Sequence, residues 1–579
     1  MKKPIHNSLA TFIFLIFNFF LCNGKEVKLN TFEILDIRLT ATNEFSWYEF
    51  PVEAVFQHST TKKEIHVRAF WDGGKSWIIR FSPTLAGKWK YTTVSTDSGL
   101  DKKVGTISVA NPTHEQIRSN PNYHGKIQIS TNGRYFEYSD GTPFFLLGDT
   151  NWAINTLRCG LGENRNGPFY QYLADRKSKE FTAIMMKHFR GSGDTEDANG
   201  QPNEGGYPFN TLESKKLNAD FFKYLDIRMN EIWNAGLITA MPAAWFGKRR
   251  CLMNLDWAKK YSAYLMVRYG AFNGIFAIGG EYQYAFRDCG WDHDSYNQIG
   301  DLVQQYNSYK KPVSIHPSSN IRSFAPIHNN QSSSAYHNSR WLDHNWIQSG
   351  QQFGELFNIV GRTLELFALD PVKPVFLAEG YYEMHSDTNH VYHTRWQPWS
   401  AVLNGAAGYA YGAVGMWHFY DPTDLLAIET AKNAKQYHKN IINRSFPWYE
   451  ELNFEGGTQM QFVRKLIDSY NWWKLKPCRA HLLVDGRENP IPTANDITPP
   501  HCASIAGELY VIYIPRENSG KKIALTEIQK GKFRIKWYNP RSGAYLNQQN
   551  IWVEKTVFTL PERPFPDTED WVFVIESNK

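Results

Sequence analysis

Residues 275–317, IFAIGGEYQYAFRDCGWDHDSYNQIGDLVQQYNSYKKPVSIHP, hold the unit whose reading decides the fold. A six-residue apolar run ends on Gly279-Gly280-Glu281, a helix-like stretch follows from Asp294 to Tyr309, and a second short apolar run, PVSIHP, closes the unit. Strand, helix and strand in that order make one turn of a parallel sheet. The rhythm repeats outward. PFFLLGD, TAIMMKHF and LITAMPAAW come before it, NWIQSG, PVFLAE and AGYAYGAVGMW after it, with further helix-like segments at Asn218–Asn234 and Leu255–Tyr269. Eight such runs over residues 126–473 predict a (β/α)8 TIM barrel, the sixth run being the weakest of them. A doubly wound sheet would need a glycine-rich GxGxxG after the first strand, and none is there.

The flanks change period. From 25 to 112 the runs EILDIRLTA, FPVEAVFQH, EIHVRAFWDGG and GKWKYTTVS alternate apolar and polar residues between turn signals such as Asp72-Gly73-Gly74. That pattern predicts an N-terminal β-sandwich. Residues 113–125, polar and containing Pro121, read as a linker. Short strands return over 474–579 (ELYVIYIP, FRIKWYNP, DWVFVIE), predicting a C-terminal β-sandwich. The expected fold class is multidomain, a central barrel between two sandwiches.

Residues 1–24 carry Lys2 and Lys3, an apolar run from Leu9 to Leu21 and then Cys22-Asn23-Gly24, the layout of a secretory signal. Export to the periplasm or the medium is expected; acylation of Cys22 to give a surface lipoprotein is the weaker variant. No other run is long enough to span a membrane. The net charge of +6 over 579 residues makes no case for nucleic acid. Five cysteines remain after Cys22, none in a CxxC pair, which speaks against a zinc site and leaves two disulfides, one or none open. No cofactor or metal is expected, and nothing in the sequence sets the oligomeric state. Aromatic residues make up 15% of the chain, a supply suited either to β cores or to sugar-binding surfaces, where a ring packs on the C–H face of a sugar.

Barrel enzymes place reactive groups at the C-terminal ends of their strands, so those ends carry the chemistry. Two offer a carboxylate directly after an apolar strand: Glu281 on the fourth and Glu379 on the seventh. Glycoside cleavage needs one carboxylic acid to protonate the leaving oxygen and one carboxylate to attack the anomeric carbon or activate water. Position assigns Glu281 as acid/base and Glu379 as nucleophile, with retention of configuration if the carboxyl groups lie about 5–5.5 Å apart. Glu383 is the residue most easily mistaken for Glu379. Asp149, at the first strand end, can bind sugar hydroxyls, orient a catalytic group or cap a helix. His188, His316 and His344 are candidate donors to substrate hydroxyls. Trp417 is a candidate floor for the sugar ring, with Trp152, Trp245 and Trp346 as walls and Tyr382 beside them.

Taken as a set, LLGDTNW, YLADRKSKEF, IGGEY, SIHPSSN, WLDHNWIQSGQ, FLAEGYYE and GGTQMQFVRKLIDSYNWWKLKP resemble the apiosidase-like glycoside hydrolases of pectin-degrading bacteria. FWDGGKSWIIRFSPTLAGKWKYTT resembles the β-sandwich that precedes such barrels, and WYNPRSG with DWVFVIE resembles a small domain described as collagen-binding. The resemblance implies an exported enzyme acting on plant or algal polysaccharide side chains. It places a family Asp on Glu281 and a family Glu, within Asp-Gly-Glu-Pro, on Glu379. The first is one methylene longer here and the second sits in Ala378-Glu379-Gly380, so apiose specificity does not carry over.

The expected function is therefore an exo-acting, retaining glycoside hydrolase whose partner is an oligosaccharide or polysaccharide. The alternative is a non-catalytic glycan-binding protein on the same fold. A peptidase ranks last, since neither HExxH nor a nucleophile elbow is present.

Overall fold

The computed structural model describes residues 27–188, 201–209, 216–245, 251, 253–319, 332–386, 390–423, 443–563 and 567–578. The expected export signal, with Cys22, lies outside them. At the centre are eight parallel strands: β1 (Leu146–Thr150), β2 (Ala183–Met185), β3 (Ile238–Ala244), β4 (Gly274–Gly279), β5 (Val313–Ser314), β6 (Asn345–Gln348), β7 (Val375–Glu379) and β8 (Gly408–Tyr411). They pair in the order 5-4-3-2-1-8-7-6. The seam between β5 and β6 is closed by Asp343: its N–H donates to Val313 O and its Oδ2 accepts from Val313 N, both at 2.8 Å. Ser314 Oγ adds a bond to His344 O at 2.6 Å. Side chains replace a ladder there because β5 and β6 are only two and four residues long.

Outside the strands lie α1 (Pro168–Ser178), α2 (Ala219–Asn234), α3 (Leu255–Tyr269), α4 (Gln283–Cys289), α5 (His293–Gln305), α6 (Asn358–Phe367), α7 (Val391–Val402) and α8 (Glu455–Asp468). Side chains of Asn218, Asn254 and Asp292 accept from the first-turn N–H groups of α2, α3 and α5, fixing where each begins. A three-stranded sheet (Ile127–Ile129, Phe136–Tyr138, Pro143–Phe144) plugs the N-terminal end of the barrel, where Phe136, Tyr138 and Phe144 join Leu146, Met185 and Phe376 in one cluster. Reactive chemistry is thereby confined to the opposite end.

The N-terminal unit packs a five-stranded sheet on a three-stranded one, with Phe56 and Phe81 stacked at 3.8 Å between them. The C-terminal unit packs six strands on four and carries the disulfide Cys478–Cys502. The expected linker is structured: Thr113 and Gln116 form a capping box for helix His114–Ser119, and the Asn120 and Asn122 side chains donate to Trp233 O on the barrel. Buried charge fastens both sandwiches. Arg80 from the first grips Asp36 and Asp226 of α2, and Arg268 of α3 grips Asp226 and Asp72. Arg395 of α7 pairs with Asp570, which also accepts from Tyr513.

Candidate active site

Simple alternation along β7 would turn Glu379 away from the barrel axis. Val375 and Leu377 pack in the outer core, and Phe376 and Ala378 in the inner one. A bulge intervenes: Ile347 pairs with Leu377 but Gln348 pairs with Glu379, so Ala378 is one residue too many for its partner strand. The insertion shifts side-chain parity by one and sends Glu379 inward.

There Glu379 is 6% exposed. His316 Nε2, at the end of β5, lies 3.2 Å from its Oε2, and Gln351 Nε2 donates to its Oε1 at 3.3 Å. Burial pushes the carboxyl up, but the His316 imidazole, the Tyr382 hydroxyl and the charge of Lys187 outweigh burial and hold it below the usual carboxylate range. It is an ionised group with almost no exposure to solvent. The backbone after it is clamped from two sides. Gln351 donates to Gly380 O (3.0 Å) and accepts from Tyr382 N (2.9 Å), while Gln397 of α7 accepts from Tyr381 N (2.6 Å) and donates to Tyr381 O (2.9 Å). Any side chain at Gly380 would run into the Gln397 amide.

Glu281 stands two residues beyond β4, partly exposed and in the left-handed region at φ 45°. A non-glycine residue adopts that backbone only when its surroundings enforce it. Here Trp245 fills the space a side chain at Gly280 would need, and Tyr282 N donates to His316 O at 3.3 Å. His316 therefore touches both carboxylate-bearing strand ends, β4 through its carbonyl and β7 through its ring.

Aromatic rings wall this mouth. Trp152 and Trp245 meet at 4.9 Å, Trp245 packs on His316 at 4.6 Å, and Trp152 Nε1 donates to the Tyr382 hydroxyl at 3.1 Å. Trp417, partly exposed, lies 6.4 Å from the Tyr382 ring, on a turn whose Gly415 and Met416 N–H groups donate to the buried Glu451 carboxylate. Trp346 lies deeper, 5.5 Å from His316 and fully buried in the inner core, so it packs beneath the site and is not a wall of it.

Three expected residues sit elsewhere. Asp149 has outward parity and is fully buried between strand and helix, accepting from Tyr172 (2.6 Å) and Arg176 (2.8 Å) of α1. His188 also turns outward, its Nδ1 3.1 Å from Pro242 O and its ring against Tyr261 of α3; burial pushes its pKa down to about 3. His344 precedes β6 instead of ending it, so it lies at the plugged end against Phe136, and burial lowers it to about 3 as well. Glu383 is a cap: it accepts from Tyr411 and from the N–H groups of Gly456 and Gly457 in the first turn of α8.

Sequence reasoning missed Lys187 and Gln351. Lys187 precedes His188 and takes the inward parity, with its Nζ 3.6 Å from the Trp245 ring centroid and 5.2 Å from that of Trp152. Counting alternate residues from Ala183 and Met185 would have selected it. Gln351, in the loop after β6, gives no comparable signal. Among the described residues no three His, Cys, Asp or Glu side chains form a metal-binding group.

The family described as apiosidase-like, catalytic domain, matches residues 130–474. A family described as a domain of unknown function matches 28–96, and one described as a collagen-binding domain of a collagenase matches 493–576. A solved structure named as a glycoside hydrolase superposes with a TM-score of 0.62 at 20% identity, covering 79% of this chain and 98% of its own. A glycoside hydrolase family 5 structure from Bacteroides vulgatus gives 0.63 at 20%, covering 79% and 95%. Another Bacteroides vulgatus structure, also named as a glycoside hydrolase, gives 0.62 at 15% and covers 95% of this chain and all of its own. At these identities the likeness is one of fold. No curated protein matches the chain in sequence.

Proposed function

The chain belongs to the apiosidase-like glycoside hydrolases, and from that premise we propose that it removes a terminal sugar from a plant or algal polysaccharide side chain with retention of configuration, after export from the cell. The observation that carries the reading is Glu379, turned inward by a bulge, desolvated and yet held ionised. Its carboxylate attacks the anomeric carbon while Glu281 gives a proton to the departing oxygen; a water, deprotonated by Glu281, then releases the sugar from Glu379. His316, Tyr382 and Gln351 fix the nucleophile, so little reorganisation accompanies attack. The Trp152, Trp245 and Trp417 rings suit the C–H face of a sugar and make a walled mouth, which supports exo action. Two disulfides, Cys251–Cys289 and Cys478–Cys502, together with the basic-then-apolar start of the sequence, support export.

The test is a pair of variants assayed on aryl glycosides and pectic or algal oligosaccharides. Glu379→Gln should lose well over about a hundredfold in kcat while still melting in one cooperative transition, somewhat below the wild type because the ionised carboxylate contributes to stability. Glu281→Gln should still release the aryl group in a rapid first turnover from glycosides with good leaving groups, then turn over slowly on every substrate because the attacking water has lost its base, and added azide, which needs no base, should restore the steady state. Proton NMR of the first sugar released identifies the anomer. An inverted product overturns retention, and undiminished turnover by Glu379→Gln overturns the assignment of the nucleophile.

A further inference from the structure

The C-terminal unit contains a cavity of about 740 Å³, lined by Ile514, the loop Asn518–Ile523, Trp537 and the stretch Thr559–Arg563. Its volume falls within the roughly 300–1,000 Å³ of small-ligand clefts. Ile514, Ile523, Trp537 and Leu560 belong to the buried core beneath it, while Lys521 and Lys522 stand exposed at the rim. Arg563 is half-buried, and its guanidinium donates to the main-chain carbonyls Glu569 O at 2.6 Å and Pro515 O at 3.1 Å, with the Asp567 and Asp570 charges near it. Among the described residues none of these three cations forms an ion pair with a carboxylate. Glu562 is the single acidic residue in the lining.

Position adds a second observation. The loop that enters the cavity begins at Arg516 and Glu517, and both are docked on the start of α7: the Arg516 guanidinium lies 4.1 Å from the Tyr392 ring centroid, and the Tyr392 hydroxyl donates to Glu517 at 2.7 Å. Helix α7 follows β7, whose last residue is Glu379, so its first turn belongs to the open end of the barrel. The cavity rim is thus tied to the same end of the molecule as the candidate active site.

We propose that this cavity binds a carboxylated saccharide, a stretch of uronic-acid-containing glycan, and so holds an acidic polysaccharide beside the barrel mouth. The cavity has room for a pyranose ring, and the cationic rim accepts its carboxylates through charge-assisted hydrogen bonds. A neutral glycan would make no use of the Lys521 and Lys522 ammonium groups at the rim. A collagen triple helix, three chains wound around one axis, is too thick to enter a cavity of this size. The inference extends the glycoside hydrolase reading without depending on which glutamate does the chemistry.

The experiment measures binding of oligogalacturonides to the full-length protein by isothermal titration, with neutral galacto-oligosaccharides and gelatin as comparisons. Turnover of a small aryl glycoside is followed in parallel. Binding should require the acidic oligosaccharide and weaken at least fivefold between 50 mM and 300 mM salt, as screening demands. Lys521→Glu with Lys522→Glu, both on exposed positions that spare the fold, should weaken it more than tenfold and leave aryl-glycoside turnover unchanged. Arg563→Gln should weaken it too, and its melting curve separates loss of the ligand from loss of the fold. Equal binding of neutral oligosaccharides, binding of gelatin alone, or indifference to the double charge reversal overturns the proposal. Loss of aryl-glycoside turnover by Glu379→Gln bears only on the catalytic reading.

Discussion

Asp226→Asn should detach the N-terminal sandwich from the barrel energetically while leaving the catalytic mouth untouched. The Asp226 carboxylate accepts four hydrogen bonds from two guanidinia: Arg80 at 3.2 and 2.9 Å, and Arg268 at 2.9 and 2.7 Å. Both arginine side chains are 0% exposed, so neither can turn to water when the charge is removed. Asparagine keeps one acceptor oxygen and aims an N–H₂ at a guanidinium, losing two charged hydrogen bonds worth roughly 1.5–3 kcal/mol each. Asp36 and Asp72 still neutralise part of the charge, which points to a loss of about 4 kcal/mol, within the usual cost of breaking a buried ion pair. On a unit the size of this barrel that is a fall of about 10 °C in melting temperature. Calorimetry reads the loss, and limited proteolysis between residues 96 and 126 reads the loosened junction. The acid dependence has a definite sign. Burial pushes the Asp226 carboxyl up, but the Arg268 and Arg80 charges more than offset it and set it below the usual range. The stabilisation is therefore complete above the unfolded value of about 4 and is lost as pH falls through the lower folded value. The gap between the wild type and the variant should be constant from pH 5 to 7 and close in stronger acid. A loss under about 1 kcal/mol at pH 7 would refute the view that this network holds the two units together.

Two further outcomes follow from buried groups and from the Glu281 loop. Lys311, 5% exposed, donates to Tyr269 O at 2.9 Å, and burial lowers its pKa to about 7. Lys311→Met should raise the melting temperature, with the full gain below pH 7 fading as pH climbs toward about 10, where the unfolded lysine also becomes neutral; a lower melting temperature at pH 6 would contradict it. Cys251–Cys289 ties the loop after β3 to the end of α4, directly behind Glu281. Cys251→Ser with Cys289→Ser should cut kcat by about tenfold or more through misplacement of Glu281, whereas Cys478→Ser with Cys502→Ser should lower only the stability of the C-terminal unit; equal effects on kcat would exclude the positioning role.

Much of the architecture was legible in residue order. Alternation in VEAVFQH and GKWKYTTVS marks sandwich strands, and the structure buries every second residue of the first and Trp89, Tyr91 and Thr93 of the second. The helix read over Asn218–Asn234 begins one residue later because Asn218 is its cap, and the helix over Leu255–Tyr269 stands as read. Asp294–Tyr309 proves to be His293–Gln305, started by the Asp292 cap. Glu379 ends β7 and Glu281 follows β4 by two residues, and both were readable because an apolar run that stops on a charge is a local signal. What remained hidden was the face each residue takes.

Parallel barrel strands are buried on both sides, so their sequences run apolar without alternation and carry no mark of inside or outside. Asp149, His188 and Lys187 look alike as polar residues after apolar runs, yet only Lys187 faces the mouth, and His344 lies at the opposite end because β6 begins after it. Glu379 shows the limit most sharply. Its type and place at the end of an apolar run could be read from the chain, but its aim depends on one surplus residue against β6, and that register exists only once eight strands have closed on each other. The order of residues determined the three units, the strand ends and the kinds of side chain available there; tertiary pairing decided which of them meet at the barrel mouth, because side-chain direction in a sheet reverses with every single-residue shift of register.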